Sequence, residues 1–258
     1  MKQPLAYVHP AAKVAPSVVI DPFVTIDQNV EIGEGTRIMS NVTIMEGARI
    51  GKNCTIFPGA VIGAIPQDLK FRGEETTAII GDNTTIREFV TVNRGTAAKG
   101  KTVVGNNCLI MAYCHVAHDC VVGDNVIMSN PVQLAGEVQV DNYAVIGGGA
   151  LVHQFCHIGP HVMLQGGALV NKDIPPYVKA GREPISFAGV NSIGLRRRNF
   201  TNEQISEIQE IYRYLYLSGM NFSDAIDRIE AELPATKERD EIILFVRNAK
   251  RGIIRGYV

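Results

Sequence analysis

Aliphatic residues return at every sixth position along most of the chain. From Val8 the series runs through Val14 and Ile20 to Ile62, resumes at Ile80, Ile86 and Val92, and continues from Val104 to Val170. It breaks only at Asp68, Glu74 and Ala98, so 25 of its 28 positions carry Val, Ile, Leu or Met, a register too long to arise by chance. A period of six fits neither the α-helix at about 3.6 nor a heptad of about 7. It is a multiple of the strand period, so the aliphatic position always faces the same side. The pattern predicts an all-β solenoid, a parallel β-helix of hexapeptide repeats. Each hexad forms one flat side, and three hexads close a triangular coil of 18 residues. Coils stack about 4.8 Å apart through ladder hydrogen bonds. Periodicity alone does not fix the hand of the coil, although most parallel crossovers are right-handed.

The remaining positions of the hexad agree. Small residues such as Val42, Ala60, Thr84, Val126 and Ala150 recur four places after a ladder residue. All five cysteines (Cys54, Cys108, Cys114, Cys120, Cys156) occupy that same slot, which favours buried thiols acting as small hydrophobes over metal or redox chemistry. Two interruptions predict surface loops, near 63–79 and near 94–102. Such insertions into a regular solenoid often bear function, and the first is polar and of mixed charge.

Beyond Val170 the period stops at Pro175-Pro176, and helical signals follow. Thr201 with Gln204 reads as a capping box, with Ile205, Ile208, Ile211, Tyr212 and Leu215 at helical spacing and a stop at Gly219. Further helices are expected over 223–233 and 237–250. The expected division is 1–190 for the β-helix and 191–258 for a C-terminal helical domain that covers the open end of the coil. The basic tail Arg247, Lys250, Arg251 and Arg255 is either a solvated face or a docking patch for an acidic partner.

Composition narrows the class. With 25 Lys and Arg against 26 Asp and Glu, the net charge is −1, and nothing global points to nucleic acid. Trp is absent and aromatics are 7%, so the core has to be aliphatic. No apolar run approaches the roughly 20 residues that cross a bilayer, which argues against stable membrane insertion. The run Met1-Lys2-Gln3-Pro4 lacks the features of a signal peptide, and a cytoplasmic location is expected.

Few residues can carry chemistry. The run His115-Val116-Ala117-His118-Asp119-Cys120 is the densest polar cluster in the coil. His118 lies two places beyond a ladder residue and is expected to face outward, with Asp119 near the turn. A carboxylate beside an imidazole holds one ring nitrogen protonated and leaves the other free to accept a proton. A plain surface histidine with a polar neighbour remains an alternative on spacing alone. One coil further, 18 residues on, Gly136 stacks over His118, and a glycine there leaves a backbone N–H open to an incoming oxyanion. A second coil brings Gln154 to the same strip, beside His153. No Ser or Cys in the strip is placed as a nucleophile, which favours direct attack by a substrate hydroxyl.

The sequence resembles the UDP-N-acetylglucosamine O-acyltransferase family over nearly its whole length. The matching stretches are Ile62-Gly63 followed by Gln67-Asp68-Leu69-Lys70, then Arg94-Gly95-Thr96 and Ala117-His118-Asp119-Cys120. They continue with Val152-His153-Gln154-Phe155-Cys156, Asp173-Ile174-Pro175-Pro176-Tyr177-Val178, and Gly189-Val190-Asn191 to Gly194-Leu195-Arg196-Arg197-Arg198. The resemblance implies a left-handed coil. It implies an (R)-3-hydroxyacyl transfer from acyl carrier protein to the 3-hydroxyl of UDP-N-acetylglucosamine, the first step of lipid A biosynthesis, with no cofactor and no metal. By the same resemblance His118 is the general base, Asp119 its orienting carboxylate and Gly136 the oxyanion donor. Asp68 and Lys70 contact the sugar nucleotide. His115, His153 and Gln154 line the substrate cleft. Asn191, Arg197 and Arg198 meet the nucleotide end, where guanidinium forks suit phosphate. Gly166 sets acyl-chain length, and its bare backbone implies a long chain. The family forms homotrimers with sites between neighbouring coils.

The chain departs from the family pattern at Glu137 and Asn93, where many members carry His, and at Ile193, where a carboxylate is common. Three rivals share the coil. A zinc hydratase of the γ-carbonic-anhydrase kind would need three neutral histidines, two from one chain and one from its neighbour, for which His115, His118 and His153 are the candidates. The N-acyltransferase of the same pathway normally carries an additional N-terminal domain, whereas repeats here start at Val8. A non-catalytic scaffold would tolerate loss of His118.

Overall fold

The computed structural model describes residues 4–256, so Met1-Lys2-Gln3 of the N-terminal run lie outside the described residues. The chain winds into the parallel β-helix that the six-residue period predicts, and the coil is left-handed, as the family resemblance implies. Among the described residues, three sheets of nine, eight and ten strands form the faces of a prism, here numbered in the order the chain visits them. Most strands are two residues long. The first points out and the second, the ladder residue, points in. Equivalent residues pair one coil apart, as in Val116 with Leu134 and Leu134 with Val152. The inward isoleucines, among them Ile26, Ile44, Ile56 and Ile86, are fully buried. At roughly 2–3 kcal/mol for each such side chain, these columns supply most of the hydrophobic driving force.

Most corners turn on a residue in the left-handed region, a conformation that Asn and Asp tolerate better than most. Asn29, Asn53, Asn107 and Asn125 serve in this way, and so do Asp119, Tyr143 and His161. The small slot follows directly and is buried. Its cysteines are free thiols, and burial pushes Cys108 and Cys114 up to about 11 and Cys120 up to about 12. They are inert packing groups.

Both interruptions leave the prism at the same corner, between faces one and two. The loops are shorter than the broken period suggests. Strands Val61–Ala64 and Thr77–Ile80 extend into the first, leaving 65–76, and strands Thr91–Asn93 and Lys101–Val104 bound the second at 94–100. The ladder closes underneath them. Ile62 pairs directly with Val92, and Val92 with Val116.

The period does not end the β-structure at Pro175-Pro176. Strand Val178–Gly181 adds to face three, and Ser186–Val190 pairs with it antiparallel, a hairpin that a six-residue search cannot see. The helices α1 (Ser192–Arg196), α2 (Asn202–Leu217), α3 (Phe222–Glu232) and α4 (Lys237–Asn248) follow. The capping box of Thr201 and Gln204 is formed, and α2 buries Ile205, Ile208, Ile211, Tyr212 and Leu215. Tyr212 stacks on Phe187 of the hairpin and donates to the Pro176 carbonyl at 2.6 Å, which seats the helices over the open end. The chain then returns to the coil, where Ile254 N donates to Asp173 O and Phe187 N to Arg255 O. Part of the basic tail is structural: Arg247 grips Glu230 through both guanidinium nitrogens.

Candidate active site

The corner between faces one and two gathers both loops and the histidine cluster. His118 is its first turn residue, and its side chain is 19% exposed, enough to reach a bound molecule. Asp119, the left-handed residue of the turn, points inward and is fully buried. Its Oδ2 lies 2.9 Å from His118 Nδ1. The second loop completes the carboxylate's surroundings. Thr96 donates its amide to Oδ1 at 3.0 Å and its hydroxyl to Oδ2 at 2.6 Å, and the Lys99 amide donates to Oδ1 at 3.3 Å. Thr102 Oγ1 accepts the Asp119 amide at 2.8 Å. Burial alone would raise the Asp119 carboxyl, but the hydrogen bonds from Thr96 and His118 outweigh it and hold the group below its ordinary value. The anion fixes a proton on Nδ1 of His118 and leaves Nε2 with a free lone pair.

Gly136 sits one coil above. A Cβ built there would lie 2.6 Å from both Cε1 and Nε2 of His118, so the ring rests against bare backbone that only glycine offers. Among the described residues, the Gly136 amide makes no hydrogen bond. This contrasts with the corner between faces two and three. There four consecutive turn amides are capped by the side chain of the next coil, each at 2.7 Å: Lys52 by Asp82, Asp82 by Asn106, Asn106 by Asp124 and Asp124 by Asn142. The ladder leaves this amide unpaired at each corner, and at Gly136 no side chain takes it.

Face one carries a groove of about 390 Å³ beside this corner, lined by His115, Gln133, Leu151, His153 and Leu169 among others. These outward residues change from polar to apolar along the prism. His115 is held by Thr91 through Nδ1 at 2.7 Å, and burial, reinforced by the nearby His118, lowers its pKa. Leu151 and Leu169 further on are half exposed. Gln154 lies exposed at the corner in the same column as His118 and Gly136. Asp68 accepts from the Lys70 amide at 2.9 Å within the first loop, and Lys70 is exposed. Phe71 of that loop lies under the Arg94 guanidinium of the second at 5.5 Å.

The single chain does not unite all the residues singled out in the sequence. Gly166 belongs to the corner between faces three and one, where a Cβ would meet the Gly148 carbonyl at 3.0 Å. Asn191, Arg197 and Arg198 gather near the corner between faces two and three. Asn191 is occupied as the cap of α1, accepting from Gly194 N and donating to His161 O. Arg198 donates to Tyr143 O at 2.8 Å and stacks over that ring, and Arg197 is exposed. Within one chain His115, His118 and His153 do not converge as zinc ligands. Among the described residues no group of three or more His, Cys, Asp or Glu side chains is placed to hold a metal. No helix among them is long and apolar enough to cross a membrane. Sequence reasoning gave Thr96 no role. Its signal was a polar residue in the small slot, four places after Val92.

Three family profiles match the chain. One is described as UDP-N-acetylglucosamine O-acyltransferase, domain 2, over residues 173–254. The others are the bacterial transferase hexapeptide (six repeats), over 101–136, and the GMPPB C-terminal domain, over 2–106. A relative from Chlorobaculum parvum, named acyl-[acyl-carrier-protein]–UDP-N-acetylglucosamine O-acyltransferase, is 56% identical over 191 residues, 72% of this chain and 71% of its own. One of the same name from Myxococcus xanthus is 45% identical over 194 residues, 75% of each chain. The crystal structure of a UDP-N-acetylglucosamine acyltransferase from Bacteroides fragilis superposes with a TM-score of 0.97 at 58% identity, covering 99% of this chain and 100% of that one. The corresponding Francisella novicida enzyme gives 0.96 at 41% identity, over 99% and 94%.

Proposed function

The chain belongs to the UDP-N-acetylglucosamine O-acyltransferase family and is an acyltransferase, and we propose that it moves an (R)-3-hydroxyacyl chain from acyl carrier protein to the 3-hydroxyl of UDP-N-acetylglucosamine, the first step of lipid A biosynthesis. The observation that carries this reading is the free Nε2 of His118 set against the unengaged amide of Gly136. Nε2 takes the proton of the sugar hydroxyl as its oxygen attacks the thioester carbonyl. The negative charge that develops on the carbonyl oxygen is met by the Gly136 amide. Collapse breaks the C–S bond, and the leaving thiolate takes the proton back from the imidazolium. Asp119, buried and hydrogen-bonded, holds the ring and stabilises its cation without being protonated itself.

The groove on face one supports the assignment of acyl binding. Its wall turns apolar from Gln133 through Leu151 to Leu169, and Gly166 lies three residues before Leu169. His115, His153 and Gln154 border the reacting groups, while Asp68 and Lys70 extend from the same corner towards the sugar nucleotide. Asn191, Arg197 and Arg198 stand near another corner, so they serve one substrate together with His118 only if a neighbouring chain supplies them. A homotrimer with sites between protomers meets this condition. The reaction needs no cofactor, and the same reading places the enzyme in the cytoplasm.

The test is direct. The purified chain is incubated with 3-hydroxyacyl carrier protein and UDP-N-acetylglucosamine, and products are analysed by mass spectrometry. A sugar nucleotide heavier by one hydroxyacyl group, esterified at the 3-oxygen, is expected. No acylated product with any 3-hydroxyacyl length would overturn the assignment.

A further inference from the structure

We propose that Thr96, on the second loop, is a positioning residue for this transfer: it locks the carboxylate of Asp119 and through it the tautomer and aim of His118. The inference rests on His118 being the base. Each oxygen of Asp119 takes two donors, Oδ1 from the amides of Thr96 and Lys99, and Oδ2 from the Thr96 hydroxyl and His118 Nδ1. A carboxylate has about four lone-pair sites, so this one is saturated. It has no site left for a proton and no freedom to rotate away from the ring.

The direction of the Thr96 hydroxyl proton is also determined. Ala98 N donates to Thr96 Oγ1 at 3.1 Å, which occupies an acceptor site and turns the proton towards Asp119. The loop is closed on itself by Gly100 N donating to Thr96 O at 2.7 Å. Lys99 then ties it to the turns on both coils: its ammonium donates to Asp119 O at 3.2 Å and lies 3.9 Å from Glu137, the neighbour of Gly136. A loop that interrupts the coil therefore supplies three of the four donors on the carboxylate. Thr96 is itself buried, so it touches Asp119 and not the substrate.

Thr96→Val keeps the shape and the amide and removes only the hydroxyl. One lone pair of Oδ2 is then unmet, more negative charge faces the imidazole, and the carboxylate gains room to turn. The expected result is a fall in kcat of about 10- to 100-fold, the scale of one hydrogen bond to a charged group, with KM for the sugar nucleotide within about 3-fold. The acid limb of the kcat/KM profile moves to higher pH, because the stronger field favours the imidazolium. Thr96→Ser restores both. A substrate-free probe accompanies these assays: histidine-labelled ¹⁵N spectra, with the His118 signals identified by their loss in His118→Ala. The wild-type ring is expected in the Nδ1–H tautomer, and Thr96→Val shows a mixture. An unmoved acid limb together with an unchanged tautomer overturns the proposal even if kcat falls, since that is what a merely structural residue would give. A serine variant as impaired as the valine one overturns it too. If valine prevents folding, Thr96→Ala is read by the same probes. Absence of transfer by the wild-type chain would sink the proposed function, while the tautomer comparison would still decide the role of Thr96.

Discussion

The imidazole of His118 leans on the bare backbone of Gly136 one coil above, with no space for even a methyl group between them. Gly136 is not in the left-handed region, so alanine suits its backbone and the conflict is confined to the ring. Gly136→Ala is expected to fold, with a melting temperature within a few degrees of wild type, and to lose about 10²-fold in kcat as Nε2 is displaced. Steady-state rates beside thermal melts check this. Full activity would show that ring and glycine need not be apposed.

Replacing His118 by Gln retains a polar side chain and removes the proposed base. Turnover should fall by about 10²- to 10⁴-fold with circular dichroism unchanged. Near-normal turnover would remove His118 from the mechanism.

Gly166→Met adds a long side chain at the corner that leads into the Leu169 strand. Its Cβ would stand 3.0 Å from the Gly148 carbonyl, a tight contact that a small backbone shift relieves. Offered a mixture of acyl carrier proteins, the variant should select shorter chains than wild type, as read by product mass. Identical product distributions would separate Gly166 from the acyl groove.

Ile86 is fully buried and pairs with Ile56 below and Ile110 above. Ile86→Ala leaves a cavity that neighbouring coils cannot close and should cost about 2–5 kcal/mol in urea denaturation. A cost near zero would mean the interior is loosely packed.

His161 gives the fold an acid sensitivity. It is stacked between Tyr143 and Tyr177, at 4.9 and 5.5 Å, with Phe200 edge-on. Burial, with smaller contributions from Arg198 and Lys237, depresses its pKa to about 4. Below the ordinary histidine value of about 6.5 the unfolded chain takes up a proton that the folded chain refuses, so stability falls as pH drops towards 4. Melting temperatures measured across that range should decline. His161→Phe should flatten the decline, since Phe already occupies the equivalent turn position at Phe89 and Phe155. A parallel pH dependence in the variant would assign the effect elsewhere.

The prism was legible because its rule is local and repeated: an inward aliphatic every six residues fixes the faces, and three faces fix the pitch. That pitch alone set Gly136 over His118 and Gln154 in the same column. Legibility stopped where the period did. Thr96 keeps the small-slot spacing after Val92, but the loop that begins there leaves the period at Ala98, so spacing does not say which atoms it meets, and its grip on Asp119 emerges only in three dimensions. The hairpin through Val178–Gly181 and Ser186–Val190 was missed because an antiparallel return has no six-residue signature. Asn191 and Arg198 follow that hairpin, and their separation from the His118 corner depends on a path that periodicity does not describe.

The pairing of Ile62 with Val92 and of Val92 with Val116 runs beneath both insertions as though they were absent. Loop length is therefore uncoupled from the geometry of the rungs. The first loop is free to gain, lose or exchange residues over generations, and on the proposed function recognition of the acceptor is able to drift while His118 and Gly136 keep their spacing. A scaffold of this kind separates what is chosen from how it is transformed.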